Sequence, residues 1–305
     1  MEIIADTTDF YLNKETAVAI GKFDGLHIGH RRLLQEILEQ KKNGLAACVF
    51  TFDPPPAVLF GISDGKELTT REEKRVLFER MGVDILIEFP LNAHTAAMPP
   101  RDFAAGVLAR KMKARFIAAG TDLSFGAGGA GNAGLLRDMG TEWGFTVDTI
   151  DKVRFGDEEI SSTYVRSQVE AGNMLLVEQL MGMPYTIMGT VQHGNRIGRT
   201  LGMPTVNLIP AASKLLPPCG VYFSSVLYGG KRYRAISNVG YKPTVTQQRI
   251  MGVESYLYDF GEEIYGKKIE VSLYEFKRPE KRFEVIEDLR EQLKEDVCAG
   301  AVWTR

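Results

Sequence analysis

The segment TAVAIGKFDGLHIGHRRLLQEILEQ, residues 16–40, decides the fold of the first half of the chain. A short apolar run, a turn with three glycines and an amphipathic run follow one another, which predicts a strand, a turn and a helix. The unpaired N–H groups and positive dipole end of a starting helix bind anions. His27 and His30 fall three residues apart, so that both imidazoles lie on one face of this helix. The segment therefore predicts a polyphosphate site.

Two other interpretations of His27 and His30 stay open at this stage. They can be two surface histidines in a turn, because the spacing alone does not require a ligand. A metal site is the weaker alternative, since no cysteine or carboxylate cluster lies nearby and Asp24 alone leaves a coordination shell incomplete. Histidine donates hydrogen bonds to anions near neutral pH without a metal, which favours the polyphosphate interpretation.

Length and composition are typical of a soluble protein with two domains. The chain has 305 residues, of which 44% are hydrophobic and 25% charged. Its net charge of −2 argues against a nucleic-acid-binding protein. No apolar run reaches the roughly 18 residues of a membrane helix, and the acidic first residues lack a signal-peptide pattern. We expect a cytoplasmic protein without nucleic-acid or membrane partners; the sequence identifies no protein partner.

The three cysteines form neither a close pair nor an even-numbered framework. Cys48, Cys219 and Cys298 are scattered along the chain. We expect all three to be packed thiols.

Up to about residue 182, short β-rich runs alternate with amphipathic runs. Strands are predicted at 16–20, 46–52, 85–89, 116–119 and 146–150, and helices at about 31–42, 70–81, 101–113 and 133–143. This order is typical of a parallel sheet covered by helices on both faces. Ligands bind at the carboxyl ends of such strands, where segments 21–30, 53–60 and 121–132 follow theirs.

The glycine run FGAGGAGN, residues 125–132, satisfies the pattern G-x-G-x-x-G with Gly126, Gly128 and Gly131. A dinucleotide fingerprint has to close the first strand of its unit, whereas this run follows the fourth. We therefore do not interpret it as a dinucleotide site.

The pattern changes after MGMPY, residues 181–185, which we take as the domain boundary. Short runs rich in Val, Ile, Tyr and Thr follow, and Gly229-Gly230 between two of them predicts a tight hairpin. An all-β barrel or sandwich is expected. The apolar positions 283, 286, 289, 293 and 297 predict a C-terminal helix that packs on it and ends before Gly300.

Two further segments carry candidate nucleotide chemistry. In ISSTYVR, residues 160–166, a hydroxyl can cap a helix and Arg166 lies one turn from Thr163. The segment GTVQHGNRIGRTLGMPTVNL, residues 189–208, has closely spaced glycines but no Walker A spacing. Thr205 and Asn207 alternate onto one strand face and offer neutral oxygens to Mg²⁺. On the pattern alone, an ordinary helix cap with a solvated arginine and a polar hairpin are the favoured interpretations of the two segments.

Together, these motifs resemble the prokaryotic bifunctional riboflavin kinase/FAD synthetase family. The histidine turn with ISSTYVR resembles the FMN adenylyltransferase module, and segment 189–208 resembles the riboflavin kinase signature. Further matches follow at 220–222, 237–244, 253–260, 264–271 and 277–283. The resemblance implies a Rossmann-like nucleotidyltransferase α/β domain over residues 1–182. A riboflavin-kinase β-barrel with a C-terminal helix is implied over residues 183–305.

The resemblance also implies roles for single residues. In the first domain His27 and His30 are catalytic through the phosphates of ATP; ATP binding is implied for Gly21, Phe23, Asp24, Gly29, Ser162, Thr163 and Arg166, and flavin binding for Asp122 and Phe125. In the second domain Glu254 is the implied general base for the riboflavin 5′-hydroxyl; ATP binding is implied for Gly194, Gly198, Gly202 and Thr205, a role as Mg²⁺ ligands for Thr205 and Asn207, and flavin binding for Arg278.

Two departures from the family pattern concern the first domain. The family's usual TFDPHP is TFDPPP here, with Pro55 in place of histidine, and Ala127 and Gly128 follow FG where basic residues are usual. Both changes remove charge or a polar contact near a bound anion, which lowers the expected affinity for FMN or the rate of adenylylation.

The main hypothesis is an enzyme that phosphorylates riboflavin to FMN in the barrel and adenylylates FMN to FAD in the α/β domain. Both reactions use ATP with Mg²⁺, and the second releases pyrophosphate. One alternative is a riboflavin kinase with a weakened adenylyltransferase domain. The other, a non-catalytic flavin-binding regulator, is disfavoured because both sets of catalytic residues are present.

Overall fold

A computed structural model describes residues 1–194, 202–243 and 249–304. The chain divides into two compact units, Met1–Ser162 and Thr163–Arg305. The helices between residues 163 and 182 therefore group with the second unit, although the sequence places the domain boundary after them.

The first unit is built on a sheet of six parallel strands in the order β1-β4-β3-β2-β5-β8. Its strands, with four two-residue strands outside the central sheet, are β1 (Glu2–Ala5), β2 (Thr16–Ile20), β3 (Ala46–Asp53), β4 (Ile85–Pro90), β5 (Ala114–Gly120), β6 (Ser124–Phe125), β7 (Gly131–Asn132), β8 (Thr146–Ile150), β9 (Arg154–Phe155) and β10 (Glu158–Glu159). Every residue of β2 and the first six of β3 are buried, so both faces of the sheet centre are covered. The five predicted strands are confirmed.

The helices of this unit are α1 (Ile28–Glu39), α2 (Pro56–Leu59), α3 (Arg71–Met81), α4 (Ala93–Ala96), α5 (Pro100–Asp102) and α6 (Ala133–Trp143), with a π-helix at Phe103–Lys111 and 3₁₀ turns at Gln40–Asn43 and Ala127–Gly129. α1 begins three residues before the prediction because His27 caps it. α3 begins after Thr70, which forms a reciprocal capping box with Glu73. The helix predicted at 101–113 is mainly the π-helix.

The strand order reverses between β2 and β5, because β2 pairs with β3 on one side and with β5 on the other. Later strands are thus added on the opposite side of β2. The segments after β2 and β5 therefore leave neighbouring strands at their carboxyl ends, the usual place for a ligand in such a sheet. Beneath them lies an aromatic cluster in which Phe50 and Phe103 have centroids 5.4 Å apart. Phe103 in turn contacts Phe125 at 5.6 Å.

The second unit contains a closed barrel in the order β11-β12-β15-β14-β13-β16, which decides between the barrel and the sandwich left open by the sequence. Its strands are β11 (Tyr185–Gln192), β12 (Thr205–Leu208), β13 (Gly220–Tyr228), β14 (Lys231–Pro243), β15 (Arg249–Leu257) and β16 (Lys268–Pro279). The predicted hairpin is confirmed: Tyr228 pairs with Lys231, and Gly229 and Gly230 have φ of 57° and 81°.

The described part of the second unit has three helices besides the barrel: α7 (Ser162–Glu170), which starts at the last residue of the first unit, α8 (Met174–Met181) and α9 (Ile286–Val302). Contrary to the prediction, α9 continues through Gly300. A Cβ atom there would lie 2.4 Å from the Tyr258 hydroxyl, so glycine permits close packing of the helix at this position. Its buried residues are Gln292, Asp296 and Gly300, while Ile286 is exposed. The predicted stripe positions Leu289, Leu293 and Val297 are half-buried beside them, so the helix packs through polar as well as apolar side chains.

The cysteines are all unpaired thiols, and only one is fully packed. Cys48 is buried, Cys219 is half-buried and Cys298 on α9 is exposed. The expectation that all three are packed is wrong for Cys298, because α9 turns that side to solvent.

Candidate active sites

The first candidate site is the N-terminus of α1, where His27 is the capping residue. Nδ1 of His27 accepts the backbone N–H of His30 at 3.4 Å, so its proton is carried on Nε2. The two imidazole rings stack with centroids 3.8 Å apart. Because His27 is only 7% exposed, the interpretation as two surface histidines is wrong.

Burial keeps both imidazoles neutral at pH 7. It lowers the pKa of His27 to about 4, against an opposing effect of the Asp122 carboxylate. The pKa of His30 lies well below its usual range through burial, with further lowering by His27 and Lys74. The rings can thus bind an anion as N–H donors, alongside the backbone N–H groups of the helix start.

Three buried side-chain atoms around this turn have no hydrogen-bond partner: Nδ1 of His30, Nε of Arg31 and Oγ1 of Thr69. Buried polar atoms are normally paired, so each unpaired atom requires an explanation. No other buried side-chain N or O atom in the described parts of the chain lacks a partner. A polar ligand at the turn would satisfy these atoms.

Phe23, Gly21 and Gly29 pack closely around the two histidines. The Phe23 ring is fully buried, and its centroid lies 5.2 Å from that of His30. A Cβ atom on Gly21 would lie 3.2 Å from the Phe23 ring, and one on Gly29 would lie 3.2 Å from the His27 ring. The packing of these predicted ATP-binding residues therefore positions the imidazoles, and direct ATP contacts of Gly21, Phe23 and Gly29 stay predictions.

Asp24 holds neighbouring segments against the turn. Its Oδ1 accepts the backbone N–H groups of Leu68 at 2.7 Å and Thr69 at 3.3 Å. Its backbone oxygen accepts the hydroxyl of Ser162 at 2.8 Å. The histidine turn and the start of ISSTYVR, 138 residues apart in sequence, thus meet in the first unit. Thr163 and Arg166 follow on α7 in the second unit, and their ATP contacts stay a prediction.

Lys74 is a residue of this site that the sequence interpretation missed. It is only 6% exposed and forms an ion pair with Glu67 at 3.0 Å. Its charge lowers the pKa of His30. Since Leu77 and Phe78, three and four residues later, are buried, Lys74 lies on the apolar face of a predicted helix. A charge on that face was the available signal.

The segment after β5 contains the two predicted flavin-binding residues. Asp122 is exposed, and its charge acts on His27. Phe125 is 4% exposed and packs in the core. Flavin contacts of both residues stay predictions. Gly126, with φ of 71°, lies against Pro100, and a Cβ atom on Gly131 would lie 2.7 Å from the Phe125 ring. At these two positions glycine permits close packing.

A second missed feature is a charged network below the TFDPPP segment. Glu88 is 3% exposed and binds Arg71 at 2.7 Å and Arg75 at 2.5 Å. Arg71 also binds Asp53 at 2.7 Å, directly before Pro54-Pro55-Pro56. The charges of neighbouring strand ends are thus neutralised within the protein.

The second candidate site is a cavity of about 230 Å³ at one side of the barrel. Its walls are formed by Val191 and Gly194, by residues 204–207, by Leu257 and by residues 260–265. Gly194 approaches Asn207 so closely that a Cβ atom would lie 2.5 Å from its Nδ2. The cavity therefore brings together three predicted site residues, Gly194, Thr205 and Asn207.

Glu254 lies on the strand next to this cavity. In the β-ladder Asn207 of β12 is directly opposite Glu254 of β15, which is directly opposite Asn238 of β14. Residues opposite one another in a ladder share a sheet face, so a carboxylate lies between two amides. Asn238 was not among the predicted residues, because its position becomes apparent only from the strand register.

The remaining predicted residues of the second unit are less closely connected with the cavity. Gly202 has φ of 79° and is exposed, and Gly198 lies outside the described residues. The Arg278 guanidinium binds Asp296 through Nε at 3.0 Å and Nη2 at 2.5 Å. These bonds are structural, and a flavin contact of Arg278 stays a prediction.

Within residues 1–194, 202–243 and 249–304, no group of three or more His, Cys, Asp and Glu side chains could hold a metal ion. The metal alternative for His27 and His30 is therefore unsupported. Thr205 and Asn207 instead offer neutral oxygens on one wall of the barrel cavity. Such a donor set fits Mg²⁺, which is often held by few protein ligands together with phosphates and water.

One module has a helix N-terminus surrounded by unpaired buried polar atoms, and the other has a barrel cavity beside a strand carboxylate. Together they define a nucleotide-dependent transferase with two modules. The FAD synthetase family model matches residues 10–164, and the riboflavin kinase family model matches residues 181–303. The chain belongs to the bifunctional riboflavin kinase/FMN adenylyltransferase family.

Curated relatives match over nearly their whole length. The bifunctional riboflavin kinase/FMN adenylyltransferase of Listeria monocytogenes is 33% identical over 95% of this chain and 93% of the relative. That of Escherichia coli K12 is 36% identical over 92% of this chain and 90% of the relative.

A crystal structure described as a macrolide-efflux protein from Streptococcus pneumoniae superposes with a TM-score of 0.86, at 28% identity over 99% of both chains. That description refers to the other protein. Among the described residues of this chain, no helix has the length and apolar character needed to cross a membrane.

Proposed function

We propose that this chain phosphorylates riboflavin to FMN and adenylylates FMN to FAD, using ATP in both reactions. The observation that carries the proposal is the presence of both modules in one chain: unpaired polar atoms around the His27/His30 turn, and a cavity beside the Asn207–Glu254 pair. Family membership over nearly the whole chain supplies the flavin substrate. We assign adenylylation to residues 1–182 and phosphorylation to residues 183–305.

In the barrel, the riboflavin 5′-hydroxyl oxygen attacks the γ-phosphorus of ATP and the bond to the β-phosphate oxygen breaks. ADP leaves, and Glu254 accepts the hydroxyl proton. General base catalysis of this kind contributes on the order of 10² to 10⁴ in rate. Gly194 lets the backbone approach the nucleotide, and ATP binding is assigned to Gly198 and Gly202 from the family resemblance.

Thr205 and Asn207 are the residues that would hold Mg²⁺ in the barrel. The ion would neutralise phosphate charge during transfer. The protein's own contribution is to hold these two oxygens in place, and the contact of Asn207 with Gly194 restricts where the amide can lie.

In the first domain, a phosphate oxygen of FMN attacks the α-phosphorus of ATP and pyrophosphate leaves. Neutral His27 and His30 donate hydrogen bonds to the ATP phosphates, and the helix N-terminus adds its dipole. These hydrogen bonds strengthen as negative charge develops on the phosphate oxygens that accept them, which stabilises the transition state. Ser162, Thr163 and Arg166 complete the ATP site, and Asp122 and Phe125 are assigned to the flavin.

A riboflavin kinase with weak adenylyltransferase activity is the second candidate. It is favoured by Ala127–Gly129, which places an uncharged 3₁₀ turn where family members usually carry basic residues, and by Pro55. The third interpretation, a non-catalytic flavin-binding regulator, requires both sites to be inactive. A cytoplasmic location and the absence of nucleic-acid and membrane partners stay predictions from the sequence.

One experiment separates the three. Purified protein is incubated with riboflavin, ATP and Mg²⁺, and the flavins are resolved chromatographically over time. We expect FMN first and FAD after it. FMN without FAD would contradict the main proposal and support the kinase, and neither product would support the regulator.

Two variants test the assignment of reactions to domains. Glu254→Gln should stop FMN formation but leave the conversion of supplied FMN to FAD, and His30→Ala should do the reverse. Loss of the same reaction in both variants would show that the assignment is wrong.

A further inference from the structure

A second carboxylate reaches the sheet face that carries Glu254. Nδ2 of Asn238, the residue opposite Glu254 on β14, donates to Oε1 of Glu280 at 3.1 Å. Glu280 follows β16 directly, and neither residue was assigned a role from the sequence.

Gly240 shows where the Glu280 carboxylate lies. A Cβ atom on Gly240 would be 1.8 Å from Oε1 of Glu280 and 3.2 Å from Nδ2 of Asn238. Residues 238 and 240 are two apart on one strand and share a face. Since Gly240 does not have a positive φ, glycine is needed here for space and not for conformation. The carboxylate of Glu280 therefore rests on the same face as Asn238 and Glu254.

The turn that carries Glu280 is fixed from both sides by α9. Arg278 binds the buried Asp296, and Lys281 donates to Oε1 of the buried Gln292 at 2.8 Å. Glu280 itself is exposed, but its backbone is anchored two residues before and one residue after. Its contact with Asn238 thus connects the C-terminal helix to the strand face of the candidate site.

We propose that Glu280 and Asn238 are positioning residues for phosphoryl transfer, with Glu280 holding the Asn238 amide beside Glu254. This inference rests on the proposed kinase function. A general base works only when its carboxylate is aimed at the substrate hydroxyl, and a displacement of about 1 Å can cost on the order of a hundredfold in rate. Asn238 restricts the space open to Glu254, and Glu280 restricts Asn238.

The test measures FMN formation by the full chain with four single variants. Glu280→Ala and Asn238→Ala should each lower kcat about tenfold, with the KM values for riboflavin and ATP changing less than about twofold, because alignment and not binding is lost. Glu280→Gln keeps the acceptor oxygen and should stay within about twofold of the wild-type kcat. Glu284→Ala, at an exposed residue of the same turn, is the matched control and should leave kcat unchanged. Conversion of supplied FMN to FAD should be unaffected in all four.

The double variant Asn238→Ala/Glu280→Ala decides whether the two residues act together. It should be no slower than the slower single variant, because Glu280 acts through Asn238. Unchanged kcat in the single alanine variants, or effects that multiply in the double variant, would overturn the positioning role while leaving the kinase function intact. A wild-type chain that makes no FMN would overturn the kinase function and this inference with it.

Discussion

Ser162 donates its hydroxyl to the backbone oxygen of Asp24 at 2.8 Å, which joins the start of ISSTYVR to the histidine turn. Two segments at opposite ends of the first unit in sequence thereby become one site. The Ser162 hydroxyl thus holds a backbone segment outside its own helix.

Ser162→Ala should therefore weaken adenylylation selectively. A hydrogen bond of this kind contributes about 1 kcal/mol, so we expect kcat/KM for ATP in FAD formation to fall about fivefold. Ser167→Ala on the same helix is the matched control, because the Ser167 hydroxyl donates to the Tyr164 backbone and accepts only from the neighbouring Gln168 side chain. Steady-state FAD formation from supplied FMN measures the effect. An equal loss of FMN formation in Ser162→Ala would contradict a local role.

The lowered pKa of His27 makes the first unit less stable in acid. The unfolded chain binds a proton with a pKa near 6.5, whereas folded His27 does so only near pH 4, so stability is lost as the pH falls from 6.5 to 4. His27 should account for about 2 kcal/mol of the loss between pH 7.5 and pH 5. His27→Gln should remove this part of the pH dependence.

Urea unfolding followed by tryptophan fluorescence measures this effect unit by unit. Trp143 lies in the first unit and Trp303 in the second, and the chain has two tryptophans, so Trp303→Phe leaves Trp143 as the single reporter. In that background His94→Gln, at an exposed histidine, should keep the wild-type pH dependence. An identical pH dependence in His27→Gln would show that His27 is not the responsible group.

The buried pair Lys74–Glu67 gives a prediction for both stability and charge. Lys74→Met leaves the Glu67 carboxylate, only 16% exposed, without its partner and should cost about 3 kcal/mol in the unfolding of the first unit. Lys74→Met/Glu67→Gln should recover most of that loss. Because the Lys74 charge lowers the pKa of His30, both variants should raise that pKa in an NMR titration of the imidazole. An unchanged pKa of His30 in both variants would show that Lys74 has no electrostatic effect on the histidine site.

Gly194→Ala tests the barrel cavity. The added Cβ would lie 2.5 Å from Nδ2 of Asn207 and must displace the amide. We expect FMN formation to fall at least tenfold, since small displacements at a phosphoryl-transfer site have large effects. Gly106→Ala, where nothing lies within 4 Å of the added atom, is the control. If Gly194→Ala formed FMN at the wild-type rate, the position of the Asn207 amide would not matter for phosphoryl transfer.

The sequence predicts the sheet and the barrel strands well because their residues are buried and periodic. It misses β1, since EIIA is short, partly exposed and lies at the sheet edge. It also misses the polar part of the α9 packing, where Asp296 and Gln292 are buried because Lys277 and Lys281 compensate them. The apolar periodicity of α9 is visible in the sequence, whereas the partners of its buried polar residues are visible only in the folded chain.

The candidate sites show the same difference between local and long-range information. The His27/His30 turn is predictable, because strand, turn and helix are contiguous. By contrast, Asp24 accepts hydrogen bonds from residues 68 and 69, and Asn238 lies opposite Glu254. Both contacts depend on pairing between segments that are distant in sequence. Single-residue roles of that kind require the register and the packing of the folded chain.

The course of α7 and α8 limits how this protein can be divided into separately produced fragments. A cut after residue 162 separates Ser162 from Thr163 and Arg166, which are assigned to the same ATP site. A cut after residue 182 keeps them together but detaches α8, whose Val177, Leu180 and Met181 are buried, from the strands β11 and β16 that it contacts. The fragment 1–182 would then expose the apolar face of α8 and tend to associate with other copies. An isolated adenylyltransferase module would therefore need polar substitutions on α8 to remain monomeric.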